Sequence, residues 1–269
     1  MLLNQPPTIQ AIHSAAEIIL KSRRGVVLSG AGISTPSGIP DFRSPQTGLW
    51  QKDEPLEIAS LVSFRYDPIT FYHWLRPLAT QIITAQPNPA HLAIVELEKL
   101  GYIQTVITQN IDGLHQKAGS HNVLEVHGSF KTMTCPDCFT KVKAQPYIEL
   151  YLQDGTLPIC PNCGSILKPD VILFGEQMPY RPWLKSQKVS RLCDLMLVVG
   201  SSLEVLPVAS LPMQAIENGA HLIIINRTPT YLDVRADVVF SDDVAEILPR
   251  IVEEVLKLRQ NIHSDKKKE

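Results

Sequence analysis

The sequence predicts an α/β protein: a doubly wound parallel sheet with a small second domain inserted into it. Three observations carry this. Short runs such as "GVVLSG", "DLMLVVG" and "HLIIIN" are too continuously apolar for a sheet with one wet face. These runs alternate with segments of helical spacing, which argues for crossover connections and helices on both faces. Two stretches, 45–87 and 129–169, break the alternation and are read as insertions.

In chain order, Ile9, Ile12, Ala16, Ile19 and Leu20 repeat at helical spacing over 8–22. A buried strand follows at 25–30, and after it the loop "GAGISTPSGIPDFRS". Residues 45–87 are rich in proline and aromatics (Trp50, Phe64, Tyr66, Phe71, Tyr72, Trp74), which suits a helical insertion with an apolar wall. In "QPNPAHLAIVELEKLG", Asn88 caps a helix, Pro89 sits in its first turn and Gly101 closes it. Strands are expected at 102–108 and at 122–126, the latter ending at "HG". After the cysteine-bearing segment come strands at 170–174, 194–200, 221–226 and 237–240, with helices near 182–192, 208–219 and 243–259.

At 269 residues with 44% hydrophobic content, the chain can fill a large core. Charged residues make up 19% and the net charge is -2, so no overall field drives it onto nucleic acid or an anionic membrane. No run reaches the about 18 apolar residues a membrane span needs, and the N-terminus lacks a basic stretch followed by an apolar one. The expectation is a cytosolic or nuclear protein, with a cytoplasmic location preferred, no direct nucleic-acid partner and no membrane. The tail "HSDKKKE" reads as a solvated end.

The cysteines are the strongest local signal. Cys135 and Cys138 form "CPDC", Cys160 and Cys163 form "CPNC", and twenty-one residues separate the pairs. Two such knuckles supply four thiolates for one tetrahedral zinc ion; a redox pair and a catalytic metal are the alternatives. Cys193, beside an apolar run, reads as a packing residue.

Gly30 and Gly32 give the first loop a G-x-G start, but Thr35 stands where a third glycine belongs in the dinucleotide fingerprint. Polar loops also follow later strands: "TQNIDG" with Gln109, Asn110 and Asp112, "GSSLEV" with Ser201 and Ser202, and "NRTPT" after Asn226. In a doubly wound sheet these strand ends meet at one rim, where ligands bind. His127 ends a strand at that rim and is the candidate general base. His13, His73, His91, His221 and His263 read as surface or packing residues; His115 and His121 lie near His127 in sequence.

Taken together, "GAGISTPSGIPDFRS", "TQNIDGLHQKAG", "LEVHGS", the cysteine pairs, "KPDVILFGE", "GSSLEVLP" and "IIIN" resemble the sirtuins, NAD-dependent protein deacylases, over about residues 10–255. The resemblance implies a Rossmann-like NAD-binding domain (1–44, 88–128 and 170–269) and a small domain made of the helical insertion 45–87 and a zinc ribbon 129–169. It implies that Ala31 and Thr35 line the diphosphate and ribose beside Gly30 and Gly32, with Arg43 by the phosphates. Ile39, Phe42, Ile111 and Asp112 would form the nicotinamide pocket, and Gln109 and Asn110 would hold the ribose. Ser201, Ser202, Asn226 and the backbone of Val244 would meet the adenosine half. An acyl-lysine peptide would pair with "VILFGE" and "SLEVLP" as a strand, its side chain passing Ile172, Phe174 and Val205. NAD is then a cosubstrate, nicotinamide and O-acyl-ADP-ribose are products, and one zinc is structural. Members favouring succinyl or malonyl groups carry a Tyr-x-x-Arg pair that "DEPLEIASLVSF" lacks, so a neutral acyl group is expected. Lys168 and Arg227 stand where the family varies and are not expected to alter chemistry. Transfer of ADP-ribose to a protein side chain, and NAD binding without turnover, are the competing readings.

Overall fold

The computed structural model describes residues 9–41 and 55–265. Helix α1 (Ile9–Lys21) leads into β1 (Gly25–Ser29). Two short 3-10 turns follow, at Ala31–Ile33 and Thr35–Ser37, in place of a long helix. The helical insertion contributes α2 (Pro55–Ile58), α3 (Leu61–Tyr66) and α4 (Pro68–Thr84), and α5 (Pro89–Lys99) returns to β2 (Ile103–Thr108). Then come α6 (Leu114–Ala118), β3 (Val123–Glu125), β4 (Gly128–Thr134), β5 (Lys141–Lys143), α7 (Gln145–Asp154) and β6 (Lys168–Val171). The C-terminal part runs α8 (Tyr180–Leu192), β7 (Leu195–Val199), α9 (Leu211–Glu217), β8 (His221–Ile225), β9 (Val238–Phe240) and α10 (Val244–Asp265).

Six parallel strands form the main sheet in the order β3-β2-β1-β7-β8-β9. Alternate side chains enter opposite cores, as the period of a strand requires. Val27, Leu197 and Ile223 pack with α1, α5 and α10 on one face, while Val26, Leu28, Val198 and Ile224 pack with α8 and α9 on the other. Double burial is why these strands lack a polar alternation. The order reverses between β1 and β7, which places a topological switch, and hence the expected ligand crevice, at their carboxyl ends.

The second sheet is antiparallel, β5-β4-β6. The run 170–174, expected in the parallel sheet, does not join it: β6 ends at Val171, which pairs with Gly128 of β4. The difference has a local reason, because Val171 and Leu173 bury themselves against Phe64, Phe71, Tyr72 and Tyr151 rather than between two helix layers. Phe64, Phe71 and Tyr72 meet edge to face at 5.1–6.3 Å. The Tyr72 hydroxyl donates to Leu167 O at 2.6 Å, tying α4 to the small sheet. Asn88 caps α5 as expected, accepting from Ala90 N–H at 2.9 Å, and helix α10 runs beyond its expected end at 259.

Candidate active site

The strand-end loops after β1, β2 and β7 interlock at the switch point. Gly30 N–H donates to Val199 O at 3.1 Å and Gly32 N–H to Gly200 O at 2.8 Å. A Cβ on Gly30 would lie 2.7 Å from Gly200 O, and one on Gly32 2.8 Å from Gly200 Cα. The sequence reading gave these glycines to a pyrophosphate; in the folded chain their first requirement is backbone-to-backbone contact between two loops. That contact holds Ala31 and Thr35 at the crevice, with Thr35 Oγ1 donating to Gly32 O at 3.1 Å. Phe42 and Arg43 lie outside the described residues.

The loop after β2 is fixed to the first loop by side chains. Asn110 Nδ2 donates to Gly30 O at 3.0 Å and to Ser34 Oγ at 3.1 Å. Ser34 Oγ donates to Asp112 Oδ2 at 2.7 Å, and Leu114 N–H donates to Oδ1 at 2.9 Å. Burial pushes the Asp112 carboxyl above its usual range, while these donors pull the other way. Ile39 is buried and Ile111 packs on the same apolar cluster, so an apolar wall and a carboxylate with spare acceptor capacity stand together.

Gln109 is the hub of the rim. Its side-chain amide donates to Ser201 Oγ at 2.9 Å, and its carbonyl lies 3.1 Å from His127 Nδ1. Burial pulls the His127 imidazole below its ordinary range and the carbonyl contact opposes that. Ser202 is half-buried beside Ser201. Asn226 donates Nδ2 to Thr228 O and Oγ1 at 2.7 and 3.0 Å, which commits its donor group to the loop after β8. Val244 opens α10 with its side chain in the core, so any ligand contact it makes is through backbone.

On the small-domain side, Ile172 N–H donates to His127 O at 2.9 Å. Phe174 pairs with residues 59–61, donating to Ala59 O at 2.9 Å and accepting from Leu61 N–H at 3.0 Å. Its backbone is therefore engaged by the chain itself, and its side chain, 40% exposed, is what it offers. Val205 is half-buried in the loop after β7.

Ser29, Thr108 and His115 support the rim but are not singled out as site residues by the sequence. The buried Ser29 Oγ donates to Thr108 Oγ1 at 2.9 Å and lies 2.8 Å from His115 Nε2, and Thr108 Oγ1 accepts from Asn110 N–H at 3.1 Å. Hydroxyls closing two largely buried strands were the available signal.

All four paired cysteine sulfurs lie within 4.8 Å of one another, a metal-sized cluster among the described residues. Cys135 and Cys163 are 3.4 Å apart, and Cys138 and Cys160 3.5 Å. A tetrahedral zinc with Zn–S of about 2.3 Å spaces its sulfurs at roughly 3.8 Å, so the donor set fits one ion. Hydrogen bonds from the Thr140 side chain and backbone pull the Cys138 thiol down to about 5. At Cys135 the Cys138 backbone hydrogen bond is outweighed by burial and the neighbouring sulfurs, which push that thiol up to about 11, so the fit to a metal rests on the geometry of the four sulfurs. The cluster closes on itself and, with Cys135 and Cys160 buried, reads as structural.

No helix among the described residues is long and apolar enough to cross a membrane. The Sir2 family model matches residues 30–207. NAD-dependent protein deacylase 2 of Archaeoglobus fulgidus is 46% identical over 249 residues, covering 92% of this chain and 97% of that protein. A solved structure reported for the mechanism and regulation of Sir2 enzymes superposes with a TM-score of 0.88 at 45% identity, over 93% of this chain and 100% of the other. A Sir2 protein bound to a myristoylated histone peptide gives a TM-score of 0.80 at 40% identity, over 94% of this chain and 100% of that one.

Proposed function

The chain belongs to the Sir2 family, and from that premise we propose how its residues divide the work of an NAD-dependent protein-lysine deacylase. The protein consumes NAD with an acyl-lysine peptide and carries one structural zinc on Cys135, Cys138, Cys160 and Cys163. As cosubstrate, NAD supplies an ADP-ribosyl group that accepts the acyl oxygen while nicotinamide leaves.

In this reading Gly30, Ala31, Gly32, Thr35 and Arg43 hold the diphosphate side. Ile39, Phe42, Ile111 and Asp112 hold the nicotinamide, with Asp112 accepting from the carboxamide. Gln109 and Asn110 hold the ribose, and Ser201, Ser202, Asn226 and the Val244 backbone the adenosine half. His127 removes a proton from a ribose hydroxyl through Nε2, since Nδ1 faces a carbonyl that can only accept. Ile172, Phe174 and Val205 line the path of the acyl-lysine, and a neutral acyl group suits that apolar lining.

The observation that carries the reading is that Gln109 joins both halves of the reaction, its amide on Ser201 and its carbonyl on His127. The domain division given above belongs to the same reading, as does a cytoplasmic location, whose reducing conditions keep four thiolates available to a metal. The test is an incubation with NAD and a panel of acyl-lysine peptides, followed by mass spectrometry. Nicotinamide and O-acyl-ADP-ribose formed only when acylated peptide is present are the expected products. Stable label on protein without acyl dependence would replace the reading with ADP-ribosyl transfer.

A further inference from the structure

Lys168 opens β6 with its side chain only 11% exposed. Its ammonium lies 2.9 Å from Pro169 O, 2.9 Å from Val171 O and 3.0 Å from Glu176 Oε2, so all three protons have acceptors. The same Glu176 oxygen accepts from Leu173 N–H at 2.8 Å, and Glu176 N–H returns to Leu173 O at 3.0 Å. The result is a closed turn over Leu173–Glu176, with Gly175 at φ 85° as the residue that permits it. Its other anchors are Ile172 on the His127 carbonyl and Phe174 on residues 59–61.

This turn is the element assigned above to the peptide, and that assignment is the premise here. We propose that Lys168 and Glu176 are positioning residues for the acyl-lysine peptide, setting the turn that carries Phe174 against His127, the residue just before β4. A buried ion pair that merely fills space can be exchanged for apolar side chains without loss. Here the carboxylate also holds a backbone amide of the turn, so loss of the ammonium releases the turn and not only a charge. The sequence reading treated Lys168 as a neutral variation because its partner, eight residues on, is brought to it only by the fold of the turn.

The experiment starts from the wild type with NAD and a short acetyl-lysine peptide; absence of turnover there overturns the deacylase reading itself. With turnover established, Lys168→Met is expected to raise peptide KM by about tenfold or more. NAD Kd measured without peptide and zinc content should match the wild type. Lys168→Arg, which keeps the charge, should recover most of the loss. An unchanged peptide KM in Lys168→Met, or NAD affinity lost in equal measure, overturns the proposal. Should Lys168→Met fail to fold, Glu176→Gln decides: it keeps an acceptor for Leu173 but not the charge, and a wild-type peptide KM in it overturns the proposal.

Discussion

His127 Nδ1 sits 3.1 Å from the carbonyl oxygen of Gln109, so in the neutral ring the proton belongs to Nδ1 and the lone pair to Nε2. Burial lowers this imidazole from its usual range, and a base that must stay neutral benefits. Activity should therefore persist on the acid side until the ring protonates, with the acid limb of kcat/KM centred below about 6.5. His127→Ala should cut peptide turnover by roughly 10²–10⁴ while NAD still binds. An acid limb above that midpoint, or turnover unaffected by the substitution, contradicts the assignment.

Asp112 is held by two donors, Ser34 Oγ and Leu114 N–H, one on each carboxylate oxygen. An amide in its place keeps one acceptor and adds an N–H facing the same carboxamide, turning an attraction into a conflict. Asp112→Asn should slow nicotinamide exchange by on the order of tenfold more than it weakens NAD binding. Ser34→Ala, which loosens one oxygen, should move the same ratio by a smaller step. Equal losses in exchange and binding would remove Asp112 from the nicotinamide pocket.

The parallel sheet was legible because strands buried on both faces leave an unambiguous apolar run, as in Leu195–Val199. The rim was legible because its polar groups sit directly after those runs. What local sequence did not show depends on contacts between distant segments. Nothing near Gly32 announces Gly200, and nothing near Lys168 announces a turn folded back on it. The strand β4 has mostly half-buried residues with no clean alternation and falls in the cysteine-bearing insertion, and the β6 run looks like any other apolar strand because its core partners, Tyr72 and Tyr151, lie far away in sequence.

Cys135 and Cys160 are both buried with Met133, Ala144, Ile148 and Leu167, so the metal site and the small core are one cluster. Binding energy at such a site is folding energy. Cys135→Ala or Cys160→Ala should lose zinc and either aggregate or melt earlier, and a chelator should do the same to the wild type. Because Tyr72 ties α4 to Leu167, the loss should spread to the helical insertion. A variant with full zinc content and a normal melting curve but no activity would show that the cysteines act in some other way.

His91 and His115 lie buried with ring centroids 5.0 Å apart, behind the loops that make the rim. Burial lowers His91 to about 4, and burial with the neighbouring His91 lowers His115 to about 3. In the unfolded chain both titrate near 6.5, so below that pH the unfolded state binds more protons than the folded one. Their contribution is thus complete above about 6.5 and is lost as pH falls toward 4, by about 1.4 kcal/mol per pH unit for each ring. Asn88 N–H meets His91 Nδ1 at 3.4 Å, so His91→Gln can keep an acceptor at the α5 cap while removing one titration. Urea unfolding of wild type and variant at several pH values between about 4.5 and 7 measures the difference directly. Carboxylates and zinc thiolates titrate alike in both proteins, so their share cancels. The variant should be less steep by about 1.4 kcal/mol per pH unit; identical slopes would mean that His91 is already protonated in the native state or shares its titration with the unfolded chain.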